Sequence, residues 1–538
     1  MGNNDQDVST TYNNHDRTIS SPSDQQRTEK SALQSAKASH KTLGWCLALT
    51  SGILLHGYDT VIVGNVSSMP EFQKDFGRLL DGKLIIPALW LGLWNVANPI
   101  GGILGALTGG YVQDRAGRRL SLLVATIISA IGVAVACVSN LPDDILDRRA
   151  VFFVAKAIEG FAVNMVMATT QAYMSEVLPP ILRGPILAFF PIFMLLGQLI
   201  GSIVVYVSLN KTGAAGYKTC IISEWAFSVL PFVVAILMPE SPAYLIRKNK
   251  IGAARKSQRR LVSSPDDAEV IFEQTRLSIE FETQTSDNGP GYLACFRGTN
   301  RRRTAIVLFA GALPSFFGLA LIAKASYFMQ VVGQSAHNSL LFLQIGIGLG
   351  LLANVGSMFT LSTFGRRPLT FFGLIVGIFL WTGMGIAGCF EGTVTVWYTQ
   401  VTLMLIVIIM SLTTWPASYA FGAEASSLHL RAKSQGLNWL SNCLTSGVLG
   451  LVLPYIFNDD EGALRGKTGF VFTGFCILSL GVAWWIVPEM KDLSAIEIDQ
   501  LFEGKRGGEE VRVDEFGQVR TERAGNGGGL VRVETLVG

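Results

Sequence analysis

Twelve apolar blocks, each long enough to cross a bilayer as a helix, dominate this 538-residue chain. They lie near residues 42–64, 88–112, 120–139, 151–174, 186–208, 221–238, 304–329, 339–361, 369–389, 397–423, 434–457 and 469–487. A hydrocarbon core about 30 Å thick is crossed by about 20 helical residues. A helix also satisfies its own backbone hydrogen bonds, which lipid cannot do for it. The chain is therefore read as an all-α membrane protein with twelve transmembrane helices. Only 15% of its residues are charged, against about a quarter in soluble domains. Its 57 glycines suit the close approach of membrane helices.

Several classes fall away. A net charge of +3 with no basic arm gives no reason to expect a nucleic-acid partner. The seven cysteines lie singly, without disulfide or zinc spacing. No glycine-rich stretch carries a P-loop lysine and no catalytic triad is visible. No cofactor, no metal site and no enzymatic activity are expected. Residues 1–41 are polar, lack an apolar signal core, and read as a disordered tail. Residues 503–538, rich in glycine and charge, read the same way.

Between the tails the chain divides into a six-helix bundle (42–238), a polar linker with short helices (239–303), and a second six-helix bundle (304–502). Ser264 followed by Pro265, Asp266 and Asp267 marks a helix start in the linker. Basic residues choose the orientation. Arg115, Arg118 and Arg119 follow block two, Arg183 follows block four, and Arg366 and Arg367 follow block eight. Arg431 and Lys433 follow block ten, and the linker is basic at 247–260 and 297–303. Both termini are thus expected in the cytosol. Asn65 and Asn210 fall in Asn-x-Ser/Thr triplets on the other side, where glycosylation is open.

The two halves repeat one another. Gly110–Arg119 after block two is echoed by Ser362–Arg367 after block eight. Glu176 after block four is echoed by Glu424, and Arg183 by Arg431. Pro239-Glu240-Ser241 is echoed by Pro488-Glu489-Met490. Duplicated halves are common in secondary transporters, with the solute site between them. Asp114, Arg115, Arg118, Glu176, Arg183 and Glu240, with Arg366, Arg367, Glu424 and Arg431, are expected to form charge clusters that latch the bundles together in the cytosol. The plainer alternative is a topology signal.

At these residues the chain resembles the sugar-porter branch of the major facilitator superfamily, over about 43–502. Gly57-Tyr58-Asp59-Thr60, Gly197-Gln198-Leu199 and Pro239-Glu240-Ser241-Pro242 carry the likeness further. Within the branch it is most similar to fungal α-glucoside (maltose-type) permeases, through Ser326-Tyr327-Phe328, Ala423–Ser427 and Leu430–Ser434. The resemblance implies alternating access between two bundles, a plasma-membrane location and, often, proton coupling. It also implies a substrate site at Gln198, Ser315, Phe317, Asn354 and Tyr419.

The chain departs from the branch in block seven, where sugar-binding members usually carry amides before the glycine. Here the segment reads Pro314-Ser315-Phe316-Phe317-Gly318. Amides both donate and accept hydrogen bonds, as sugar hydroxyls require, so this site has lost sugar-reading chemistry. Gly350 takes a position often held by Asn, with Asn354 one turn away.

Charges inside the bilayer are functional candidates because they are costly there. The resemblance pairs Asp59 with Lys156 as a proton-coupling site. A carboxylate beside a cation stays ionised, and separating the two lets it take a proton. Glu159, three residues on, competes for Lys156. His56 is a candidate relay or a packing residue. Lys324 either meets an anionic substrate or snorkels to the interface. Glu224 is expected to face water near the outer surface. The expected partners are a small-molecule substrate, a proton and the lipid bilayer, with the protein a monomer. Three functions stay open: import of a sugar or glycoside, movement or export of a less polar or acidic metabolite such as a fungal secondary product, and solute sensing without transport.

Overall fold

A computed structural model describes residues 39–502, apart from 81, 179–189, 263, 286–291, 391, 427–429, 492–497 and 499–500, together with short strands between 505 and 522. The first half begins with α1 (His40–Ser67) and a short α2 (Pro70–Phe76). A small hairpin of β1 (Arg78–Leu80) and β2 (Lys83–Ile85) follows. Then come α3 (Ala88–Ala116), α4 (Arg118–Val138), α5 (Ile145–Val177), α6 (Phe190–Ser208) and α7 (Ala215–Leu237). The linker holds α8 (Pro242–Arg247), α9 (Ile251–Leu261) and α10 (Pro265–Thr285). The expected start at Ser264 is seen, with its hydroxyl accepting from the Asp267 N–H at 3.5 Å.

The second half opens with α11 (Asn300–Phe316), α12 (Leu319–Ile322) and α13 (Ala325–Val332), three pieces of one span. It continues with α14 (Ala336–Phe364), α15 (Arg366–Ala387), α16 (Thr393–Leu412) and α17 (Thr414–Glu424), the last two again one span. α18 (Arg431–Phe457) and α19 (Thr468–Ile486) complete it. Eleven spans are long and apolar enough to cross a membrane by composition. The twelfth, α3, has the length but is diluted by Asn95, Asn98 and glycines that pack against α5. Large side chains such as Phe359, Phe379 and Trp485 stand 72–82% exposed on the flanks, the pattern of lipid-facing surface.

Two spans expected to be continuous are broken. Pro416 has no N–H for the Leu412 carbonyl one turn back, so α16 ends at Leu412. The freed carbonyls find donors on α14: Thr360 Oγ1 reaches Leu412 O at 3.0 Å and Asn354 Nδ2 reaches Ser411 O at 3.3 Å. The other break turns on Gly318, at φ 107°. The C-terminal segment expected to be disordered carries β3 (Lys505–Arg506), β4 (Glu509–Val513) and β5 (Val519–Glu522), an antiparallel meander. Its register pairs Val511 with Thr521 and Val513 with Val519. Residues 1–38 lie outside the described residues.

The basic loops after α3 and α14 share one face with the linker, here the basic face. At the opposite face the halves are tied together. Ser326 Oγ donates to Asn65 Oδ1 (2.8 Å) and Gln330 Nε2 to Ser68 O (2.6 Å). Asp460 accepts from the Ala88 N–H (3.0 Å) and from Arg78 (2.9 Å). α2 plugs this end of the first half, its Phe72 and Phe76 stacked among Trp94, Phe152 and Tyr217. Arg149 binds the free carbonyls at its end, Phe76 O at 2.7 Å and Gly77 O at 3.0 Å.

Candidate functional site

Two places bring chemistry into the membrane region. The first is wholly inside the first half. Close helix contact makes it: a Cβ at Gly57 would collide with Met194 O, and one at Gly160 would lie 2.5 Å from Asn98 Cα. The first contact seats α1 against α6 and the second α3 against α5, while Gly52, whose Cβ would lie 2.7 Å from Val166 Cγ1, brings α1 to α5. Lys156 Nζ then lies 2.9 Å from Asp59 Oδ1 and bonds Glu159 Oε2. Glu224 Oε2, on α7, is 3.8 Å away. All four side chains are at most 2% exposed. Asn98 Nδ2 donates to Asp59 Oδ2, and Asn164 Nδ2 bonds Asn98 Oδ1 at 3.3 Å. Gly132 on α4 leaves the room for Glu159, whose Cγ lies 2.7 Å from where a Cβ would stand.

The Asp59–Lys156 contact thus exists, and Glu159 joins rather than displaces it. Glu224 is the correction. It is fully buried, not water-facing, because α7 turns that face toward Lys156. The carboxylates of Asp59, Glu159 and Glu224 come close enough for a metal ion, with one oxygen of each within 4.8 Å of the others. The Lys156 ammonium fills that space, and like charge repels a cation there. The sequence signal for the wider cluster was present, as acids and asparagines in apolar helices; only the helix rotations show that they converge.

The second place is a cavity in the second half, on the basic side of the seal. About 260 Å³ of non-protein space, open solvent included, lies among its lining residues. α11 contributes the small residues Ala310, Gly311 and Pro314, while Tyr419, Asn438, Trp439 and Asn442 supply polar groups. Asn442 Nδ2 donates to Gly311 O at 3.1 Å, whereas Asn438 Oδ1 is buried without a partner. Trp439 Nε1 donates across the halves to Gln171 Oε1 at 3.1 Å.

Of the five expected substrate residues, Tyr419 lines this cavity. Gln198 is 3% exposed, on α6 of the other half. Ser315 is buried and not among the lining residues. Phe317 packs in the core of its own half, with its carbonyl taking the Trp381 Nε1 hydrogen at 3.1 Å. Asn354 serves the broken span described above, which removes its amide N–H from the cavity. Asn438, Trp439, Asn442 and Gln171 were missed. Their signal was amides within apolar blocks, Gln171 in block four and Asn438 and Asn442 in block eleven, with Trp439 beside them.

Among the described residues, these pairs of the charge clusters lie within a half. Arg118 pairs with Glu176 at 2.7 Å and, more loosely, with Asp114 at 3.9 Å. Glu240 accepts the Arg118 N–H at 2.9 Å and the Arg119 N–H at 3.2 Å, a carboxylate on the positive end of α4. The second half copies this: Arg366 grips Glu424 through two bonds, and Glu489 accepts the Arg366 and Arg367 N–H groups. The reason is reach, because each acid lies beside a short loop of its own half. Gly117 and Gly365, at φ 96° and 85°, make those loops. Arg115 stacks on Tyr111. Arg183 and the side chain of Arg431 lie outside the described residues.

Burial bears on two further residues of the sequence analysis and on His56. Asn65 is fully buried in the seam between halves and bonded to Ser326, which leaves no room for a glycan; Asn210 is exposed. His56 Nδ1 is buried without a partner.

Comparison with known proteins fits this architecture. Residues 45–502 match the family model described as "Sugar (and other) transporter". The MFS transporter fmqE of Aspergillus fumigatus is 28% identical over 468 residues, 83% of each chain. The maltose permease MAL61 of Saccharomyces cerevisiae is 28% identical over 486 residues, 87% of this chain and 77% of that one. Among solved structures, the partially occluded inward-open xylose transporter XylE from E. coli superposes with a TM-score of 0.70 at 21% identity, covering 85% of this chain and all of that one. With the match spanning most of its length, this twelve-helix membrane protein belongs to the sugar transporter family of the major facilitator superfamily.

Proposed function

We propose that the protein moves a sugar- or glycoside-sized solute across the plasma membrane by alternating access, driven by a proton carried at Asp59. The carrying observation is the Asp59–Lys156 contact, wholly buried in the first half. One ammonium balances one carboxylate. Two more carboxylates beside it leave excess negative charge in a medium where unpaired charge is expensive. A proton is the smallest counter-charge that relieves it. Opening and closing the halves changes water access to this cluster, and that links protonation to the transport state.

With the basic face in the cytosol, the positive-inside orientation, the seal at the opposite face makes this an inward-facing arrangement. Asn438, Asn442, Tyr419 and Trp439 then meet the solute from the cytosolic side. Amides and hydroxyls of this kind donate to and accept from sugar hydroxyls. Relatives named as maltose and α-glucoside permeases support the same substrate class.

The test is uptake of maltose into proteoliposomes under an imposed pH gradient. Wild-type protein accumulates it, and Asp59→Asn retains exchange of labelled for unlabelled maltose while losing accumulation. Undiminished gradient-driven accumulation by Asp59→Asn would sink the proton role. A second reading, an acidic or less polar metabolite, is favoured by one residue, Lys324.

A further inference from the structure

The two lysines within the membrane spans contrast sharply. Lys156 is encircled by three carboxylates. Lys324 has no acid partner among the described residues, and its ammonium makes a single hydrogen bond, to Ala320 O at 3.2 Å. An ammonium has three hydrogens to give. The side chain is half-buried, so it is neither freely hydrated nor neutralised.

Snorkelling does not account for it. α13 runs eight residues beyond Lys324 before ending at Gly333, about 12 Å of helix, which is longer than a lysine side chain. The ammonium also reaches back toward Ala320, away from that end. Lys324 sits where the span breaks, as the residue capping α13, and its side chain makes no cap bond. The first turn of α13 follows it directly, and the N–H groups that open a helix carry its positive end. Discontinuous helices use such ends to hold anionic groups of substrates.

The place is also the edge of the seal. A Cβ on Gly64 of α1 would lie 2.8 Å from Lys324 Cα, and Ser326 bonds the Gly64 carbonyl at 3.2 Å. Pro314, at the cavity, and Ala320, which holds the ammonium, are six residues apart on the same span, on either side of its break at Gly318. A solute seated in the cavity therefore needs glycoside length to reach the ammonium.

The geometry points to Lys324 as a specificity-determining residue: the transported solute is of disaccharide or glycoside length and carries a carboxylate at its far end, bound by Lys324 and the start of α13. This rests on the transport reading above and narrows its substrate class. It also gives the acid a way to act on the gate, since the residue that binds it abuts α1 at the seam.

The experiment uses two pairs of probes that differ by one carboxylate: phenyl α-maltoside with 4-carboxyphenyl α-maltoside, and phenyl α-glucoside with 4-carboxyphenyl α-glucoside. Binding is measured by thermophoresis on the full chain in nanodiscs. The wild type is expected to bind a carboxylated member at least about tenfold tighter than its neutral twin, as a charge-assisted contact implies. Lys324→Gln removes that preference and leaves the neutral twin within about twofold; Lys324→Arg keeps it. Unchanged thermal unfolding of both variants shows they are folded. Equal binding of twins by the wild type, a preference that survives Lys324→Gln, or no binding of any probe overturns the proposal. The two readings fail separately. Proton-driven uptake of maltose without an acid preference removes the Lys324 role and leaves transport. A Lys324-dependent acid preference without gradient-driven uptake of any probe removes transport and leaves the site.

Discussion

Lys156 Nζ and Asp59 Oδ1 lie 2.9 Å apart with both side chains at most 2% exposed, on helices 97 residues apart in sequence. Glu159 and Glu224 stand around the same ammonium. The cluster is held by close contact of glycine-lined helices, so it depends on packing as well as charge.

Removing the cation should cost more than removing any one acid. Lys156→Met leaves three buried carboxylates without a counter-charge, and losing one partner of a buried pair costs about 3–5 kcal/mol. Glu159→Gln keeps the Asp59–Lys156 pair and removes one surplus charge. Thermal unfolding in detergent should place Lys156→Met well below wild type and Glu159→Gln near or above it. The reverse order would show that Glu159, not Asp59, is the structural partner.

The pH response follows from the same cluster. Wild-type uptake should rise as the side opposite the basic face is acidified, because protons enter from there in the other transport state. Asp59→Asn should be flat over the same range, with coupling of about tenfold lost. Initial rates of labelled maltose entry against outside pH make the comparison.

Gly57 and Gly197 form a reciprocal contact, in which the Cβ of either would strike the backbone of the other's helix at Met194 O or Leu54 O. Backbone cannot yield as a side-chain tip can. Gly57→Val should therefore separate α1 from α6 and lose folded protein, read as monodisperse yield after solubilisation. Gly110, with nothing near its added Cβ, should accept Ala without effect.

Asp460 ties the halves at the opposite face through the Ala88 N–H and Arg78. Asp460→Ala should weaken that seal and shift the population toward the outward-open state. A cysteine at Asn65, buried in the seam here, should then react faster with a membrane-impermeant maleimide. An unchanged rate would mean that the Ser326 and Gln330 contacts, with the 3.1 Å bond from the Ile86 N–H to the Tyr327 hydroxyl, suffice.

Asn438 should matter more to substrate affinity than Phe317. Its Oδ1 is buried in the cavity wall without a partner, while Phe317 packs away from the cavity. Losing one hydrogen bond of about 1–1.5 kcal/mol weakens binding about tenfold. Asn438→Ala should raise the half-saturation concentration by that factor, and Phe317→Leu should leave it unchanged while lowering the unfolding temperature.

The sequence by itself determined that this is a membrane protein of two related six-helix halves, because block length and the period of charged loops are local properties of the chain. It also singled out Asp59, Lys156 and Lys324, since charge in an apolar block is visible in one dimension. It could not say which way each helix faces. Tertiary structure alone decided that Glu224 turns inward to Lys156, that Phe317 and Asn354 are taken up in packing and repair of a broken span, and that the cavity's amides come from α18. It also gave Arg118 and Arg366 their acid partners, Glu176 and Glu424, within their own halves. In each case the reason is physical: a helix's rotation and close contacts depend on glycines and partners far away in the chain, and no local pattern records them.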